Sequence, residues 1–450
     1  MFFKKGSGYM KNTRATSYIE KKVADLTKLI ESISLIELVT PDNLTAERRA
    51  WLERAEHDVY TDPLFVYNVP KLVACAHKAN RLKNYGRQVL ETQKPENAID
   101  EAILKILRRR IDSALLTCEI AEAMLASDNK RIRELLVEKY GRPDVAQVHH
   151  AYALSGENLR PESRSESMFA GGERSRLRSV SVSADELRLF CDFALIYYGF
   201  EDWHCEQRKD AHRVDVRTRA IKPEHRKRIE LPTRGRYNGL EALELVAHEV
   251  EYHVRNIANC EQLFTELLGK DSLLLPLVGT LAKADDESLY EGVAKNSDVR
   301  ISGPDAAPDP CYIIAIDLAL QGLPFSNVAA GIINLHDYTC PEGVKVSRKT
   351  LEYVWNICYR VFRGYQYRPN FSNEECYAFT KDYAYLSGFN ETQRMDPILR
   401  DFASLRREDI ADLQKAGVIL EPAYPYRRVA REIWDRRNST NCITGAFYDL

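Results

Sequence analysis

The sequence predicts an α+β protein that is mostly α, with one small sheet. Three observations carry this. Apolar residues recur every three or four positions through most of the first 140 residues, as at Val23, Leu26, Leu29 and Ile30. Strict alternation covers 213–221, where Val214, Val216, Thr218 and Ala220 alternate with Arg213, Asp215, Arg217 and Arg219. A long apolar stripe at helical spacing then begins at Gly239.

Residues 1–154 read as a helical region. Ile99, Ile103, Ile106 and Leu107 continue to Ile111 and Leu115 on one helix face, and Asp42 or Thr45 is placed to cap the helix carrying Trp51 and Leu52. No repeat of fixed period interrupts them. Residues 155–183 are dominated by Ser, Arg and Gly and carry little apolar surface to offset chain entropy, so they read as an exposed, mobile linker, with a phosphorylated regulatory segment as the second reading. A helix over 184–198 precedes the alternating strand, and a second strand, RKRIELP (226–232), follows the turn at Pro223, which predicts a hairpin over 213–232. Residues 184–346 read as a further unit and 347–450 as a C-terminal helical region. Within the latter, 422–437 predicts an amphipathic helix packed by Val429, Ile433 and Trp434 rather than an RNA-binding stretch.

Composition excludes several classes. The 450 residues are 44% hydrophobic and 29% charged, an ordinary globular balance. The net charge of −2 offers no general basic surface for nucleic acid. The longest apolar runs, such as Cys311–Leu320, fall well short of the roughly 18 residues that span a bilayer. MFFKKGSGYM lacks the apolar core of a signal peptide, so the expected location is cytoplasmic. The ten cysteines form no C-x-x-C pair and several fall in apolar helical patterns, which predicts reduced, buried thiols.

The chemistry concentrates in the helix that begins at Gly239. Its apolar stripe is Leu240, Leu243, Ala247, Val250, Val254 and Ile257, and off that stripe lie His248, Glu249 and His253 in the order H-E-x-x-x-H. The shorter H-E-x-x-H puts two histidines at i and i+4 on one face, within reach of one zinc. At i and i+5 a regular helix separates them by roughly 140°. Both can bind one ion only where the helix widens, as in a π-turn with i→i+5 hydrogen bonds. The plain alternative is two histidines on a polar face. A third ligand is available from the acidic run Asp285, Asp286, Glu287 and Glu291, the last two an i, i+4 pair. His149 with His150, His212, and His336 with Asp337 have no second partner at diagnostic spacing and read as surface or core histidines. Gly-rich phosphate loops and the G-x-S-x-G elbow are absent.

In order along the chain, these motifs resemble the microtubule-associated tyrosine carboxypeptidase family and its bacterial relatives with a QEGLA motif. HEVEYH (248–253) matches the family's HEIGTH, and Asn259 with Gln262 matches the Asn and Gln that follow it. YEGVA (290–294) matches QEGLA, RVFRG (360–364) and FTKDYAYLSGF (379–389) are family-like, and KYGRPD (139–144) fits the preceding helical part. Glu251 stands where the family has Gly, and Tyr290 where it has Gln. The resemblance, recognisable over roughly 185–390, implies a zincin-like metallopeptidase core. It implies Zn2+ held by His248, His253 and Glu291, with Glu249 as the general base.

The expected function is therefore a zinc metallopeptidase, by resemblance a carboxypeptidase that removes a C-terminal residue, with tyrosine as the family's precedent. The alternative is a regulatory or structural protein that keeps the fold without peptidase activity. The expected partner is a peptide or protein C-terminal tail, which the hairpin can bind as an added strand. The segment 206–236 carries eleven Lys/Arg against five Asp/Glu, an excess that favours acidic residues in the tail or else is a solvated strand face. A free carboxylate needs a cation, and Arg360, Arg363 and Lys381 are the candidates, with Tyr385 one helical turn beyond Lys381. Their competing role is in structural salt bridges with Glu374, Glu375 or Asp382.

Overall fold

The computed structural model describes residues 13–156, 168–209, 211, 214–217, 227–272, 274–278, 287–303, 306–337, 346–366, 377–392 and 400–440. Its helices begin with α1 (Thr13–Glu31), α2 (Leu35–Val39), α3 (Leu44–Ala55), α4 (Val69–Ala76), α5 (Lys78–Thr92), α6 (Ala98–Leu125), α7 (Asn129–Tyr140) and α8 (Val145–Gly156). Next come α9 (Gly171–Ser179), strand β1 (Ser181–Ser183), α10 (Ala184–Tyr198), and strands β2 (His204–Arg208), β3 (Asp215–Arg217), β4 (Arg228–Pro232) and β5 (Arg236–Asn238). A continuous helix follows as α11 (Gly239–Val246), a π-turn (Ala247–Val254) and α12 (Arg255–Leu268). The chain continues through α13 (Leu275–Val278), α14 (Glu287–Ser302), α15 (Cys311–Leu320), α16 (Phe325–Asp337), α17 (Arg348–Val361), α18 (Lys381–Thr392), α19 (Arg407–Lys415) and α20 (Val429–Thr440). The protein is mostly helical with small sheets, as the periodicities predict.

Two apolar cores organise these elements, and neither is continuous along the chain. The first gathers α1–α8 with the later part of α12, α13 and α15–α19. At its centre Trp51 lies 5.5 Å from Trp355, whose ring is also 5.2 Å from Phe325. The face predicted for α6 is the one buried here: Ile103, Ile106, Leu107 and Ile111 are all in the core. The second core gathers α9–α11, the sheet strands, the start of α12 and α20. The predicted stripe from Leu240 to Ile257 faces this core, and Cys260 and Phe264 face the first. The helix beginning at Gly239 thus runs from one core into the other, which holds both its faces. Of the region 347–450, α17–α19 join the first core and α20 joins the second, where Val429, Ile433 and Trp434 pack as expected.

The larger sheet has the order β2-β4-β3. β3 pairs antiparallel with β4, Val216 opposite Ile229, so the expected hairpin strands do pair. β4 also pairs in parallel with β2, which the sequence concealed because HCEQR has no apolar alternation. β1 and β5 form a separate two-stranded pair, Val182 opposite Tyr237. Much of the local charge is satisfied within the larger sheet: Arg228 meets Glu206 at 2.9 Å and Glu230 at 2.6 Å, and Arg208 meets Glu230 at 3.1 Å.

Two local expectations are corrected. The stretch 155–183 is not an exposed linker from Met168 onward. Phe169, Leu177 and Val182 are sparse in a polar background, yet they insert into the second core and fix α9 and β1 there. Residues 157–167 lie outside the described residues. Neither Asp42 nor Thr45 caps α3. Asn43 occupies the cap position, and its amide instead joins the extended segment by bonds to Leu64 O (2.7 Å) and Val66 N (2.9 Å). The seven described cysteines are free thiols. No helix among the described residues is long and apolar enough to cross a membrane.

Candidate metal centre

The local sequence sets the start and register of the site helix. Asn238 caps α11, accepting from Glu241 N at 2.9 Å, while Glu241 receives the Asn238 amide in return. After the eight residues of α11 the helix widens over Ala247–Val254, and the Arg255 amide reaches back to Val250 O, an i→i+5 bond. The widening falls on HEVEYH. It turns His253 back toward His248, so the ring centroids are 4.7 Å apart, with the planes at 86°.

Glu291 reaches the pair from α14. Its Oε2 is 3.8 Å from His248 Nε2 and 3.7 Å from His253 Nε2. One potential ligand atom from each of the three side chains lies within 4.8 Å of the others. Two ligands on one tetrahedral zinc at about 2.0–2.1 Å would be roughly 3.3 Å apart, so small side-chain adjustments close this set around an ion. Two imidazoles and one carboxylate are donors that zinc accepts in sites keeping a fourth position open. Of the other acidic residues considered, Asp285 and Asp286 lie outside the described residues, as does the side chain of Glu287.

The surroundings order both rings. His248 Nδ1 lies 2.9 and 3.1 Å from the two carboxylate oxygens of Asp298, which also accepts from Lys295 Nζ at 2.6 Å. Burial disfavours a charged His248 ring, yet the Asp298 carboxylate outweighs it and pushes the pKa up to about 9. His253 is stacked face to face on Tyr290 at 4.0 Å. Glu249 is 7% exposed, on the same π-turn. β3 packs against that turn.

Glu251, the substituted glycine position, does not disturb the bulge. Its side chain reaches α20, where Oε1 accepts from Ala430 N at 2.8 Å and the carboxylate also receives the Val429 amide. It therefore sits at the N-terminus of α20, a favourable place for a carboxylate. Burial still pushes its pKa up to about 7 against those amides and Arg255. Asn259 is a clamp: its side chain accepts from Tyr424 N at 2.8 Å and donates to Asp401 O at 3.2 Å. Gln262 bonds Glu266 at 2.8 Å.

The family-like segments meet in space. Tyr140 stacks edge-on against Phe379 at 5.8 Å, and Gly141, at φ +76°, ends α7 against the ring of Tyr383. Of the proposed carboxylate binders, Arg360 bonds Asp382 through both Nε (3.1 Å) and Nη2, the structural salt bridge considered above. Its guanidinium lies 5.0 Å from the Tyr312 ring and 5.6 Å from Tyr385. Arg363 lies 4.6 Å over Tyr359. Lys381 opens α18, half-buried, one turn before Tyr385. Glu374 and Glu375 lie outside the described residues, as do His212 and the side chains of His336 and Asp337; His149 and His150 are exposed. Asp298 and Lys295 were not singled out from sequence. The available signal was spacing: with Glu291 they fall at i, i+4 and i+7 of one helix. No known family model matches the chain, and no curated protein or solved structure matches it.

Proposed function

We propose that this chain is a zinc-dependent metallopeptidase with a zincin-like core, acting as a metallocarboxypeptidase on a peptide or protein tail. One observation carries the reading: His248, His253 and Glu291 converge through a π-turn placed on the motif, with Glu249 in the same turn. The donor set fits zinc, and the Asp298 carboxylate behind His248 is the kind of outer partner such ligands have. When bound, the metal supplies Lewis-acid polarisation of the scissile carbonyl. Glu249 takes the proton of the attacking water and delivers it to the leaving amine, a carboxylate's task at short range. β3 packs against the π-turn, which puts the small sheet beside the candidate centre, where main-chain hydrogen bonds would bind an extended peptide of any sequence. Arg363 and Lys381 remain candidates for the terminal carboxylate, while the Asp382 pairing favours a structural role for Arg360.

Metal analysis of the purified protein tests the centre, with about one zinc per chain expected. Cleavage of a peptide library read by mass spectrometry tests the reaction. Loss of single C-terminal residues supports the carboxypeptidase, and internal cleavage replaces it with an endopeptidase. A protein without zinc or cleavage is a non-enzymatic member of the same architecture.

A further inference from the structure

His248 is oriented by the helix that also brings Glu291. Asp298 is 1% exposed, and its two oxygens face His248 Nδ1 at 2.9 and 3.1 Å. The second hydrogen bond to Asp298 comes from Lys295 Nζ at 2.6 Å. A carboxylate beside an ammonium is ionised and can only accept, so the Nδ1 position facing it must carry a proton. Nε2, the atom turned toward Glu291, is then the nitrogen presented to a metal, which on binding would replace the proton there. Glu291, Lys295 and Asp298 occur at i, i+4 and i+7, so one face of α14 presents all three.

We propose that Asp298 is a positioning residue for the metal centre: it fixes the Nδ1–H tautomer and the ring plane of His248, and Lys295 holds Asp298 in place. α14 then supplies the third ligand and the orientation of the first as one rigid piece, which the spacing of the motif does not reveal. The inference rests on the metal reading above.

Zinc affinity by competition with a chromophoric chelator, and the visible spectrum of the Co2+-saturated protein, test it in wild type, Asp298→Asn and Lys295→Met. Asp298→Asn is expected to bind zinc about 10–100-fold more weakly. Its cobalt spectrum should shift at saturation, because a ring free to rotate changes the ligand field. A purely structural defect would lower the amount of metal bound and leave the spectrum of the bound ion unchanged. Lys295→Met should weaken zinc in the same direction by roughly threefold to tenfold, and it decides the matter if Asp298→Asn does not fold. Wild-type affinity and spectrum in the folded Asp298→Asn protein, or in Lys295→Met where only that variant folds, overturn the inference and leave the metal reading intact. A wild-type protein that binds no metal overturns both.

Discussion

Gly292 and Gly388 meet backbone to backbone: a Cβ on Gly292 would lie 2.2 Å from the carbonyl carbon of Gly388. The contact brings α14 against α18 one residue beyond Glu291. Asn296 secures the crossing, donating to Phe389 O at 3.1 Å and Thr392 Oγ1 at 2.6 Å. The glycine of YEGVA is thus a packing residue, and the position of the third candidate ligand depends on it.

Gly292→Ala should therefore push the two helices apart by roughly an ångström and cost about 1–3 kcal/mol or more. Thermal unfolding and zinc affinity measured together check this. A variant that loses stability but keeps full zinc affinity would show that Glu291 is placed independently of the crossing.

Glu249→Gln should lower turnover by at least about 10²–10⁴-fold while metal content stays at the wild-type level. Glutamine fills the same space but cannot take a proton from water. Near-normal turnover would falsify the base assignment, and loss of metal would give Glu249 a structural role instead.

The metal-free protein should become less stable as pH rises from about 6.5 to about 9. His248 has its folded-state pKa raised from 6.5 to about 9 by Asp298. A base with a raised pKa contributes stability that is fully present below the unfolded value and is lost as pH rises through the folded one. Denaturant titrations of wild type and His248→Gln across this range check the sign. The variant should lose that slope, and saturating zinc should replace it by the opposite trend, since the ligand must be deprotonated.

Glu251→Ala should loosen α20. The variant leaves the buried amide of Ala430 without its acceptor, at about 1–3 kcal/mol. Hydrogen exchange should rise over Val429–Thr440. Unchanged protection there would mean that Val429, Ile433 and Trp434 hold the helix without the carboxylate.

Arg363→Ala and Lys381→Ala should narrow the preference for a peptide with a free C-terminus over its amide. Arg360→Ala should act differently, destabilising the fold by about 3–5 kcal/mol, because it strands the buried Asp382 carboxylate. Equal cleavage of acid and amide by wild type would exclude the carboxypeptidase reading. Acid selectivity surviving in both alanine variants would place the carboxylate site elsewhere.

The sequence by itself determined what depends on neighbours along the chain. The apolar stripe from Leu240 to Ile257, the face of α6, the β3–β4 pairing and the need for a widened turn between His248 and His253 follow from residue spacing, because side-chain direction repeats with the local backbone. It failed where local texture misled: residues 168–183 look like a linker, but three apolar side chains suffice to anchor them once a core lies within reach. The resemblance of YEGVA to its family motif already pointed to Glu291 as the carboxylate beside the two rings; the tertiary structure alone decided that Asp298 stands behind His248 and that Glu251 joins α20. It also decided that Arg360 is paired with Asp382. These are contacts between segments tens to hundreds of residues apart, and their energies depend on burial and on distances of a few ångströms. No local period encodes that information; only the packing of α14 on α18 and of two cores around one helix supplies it.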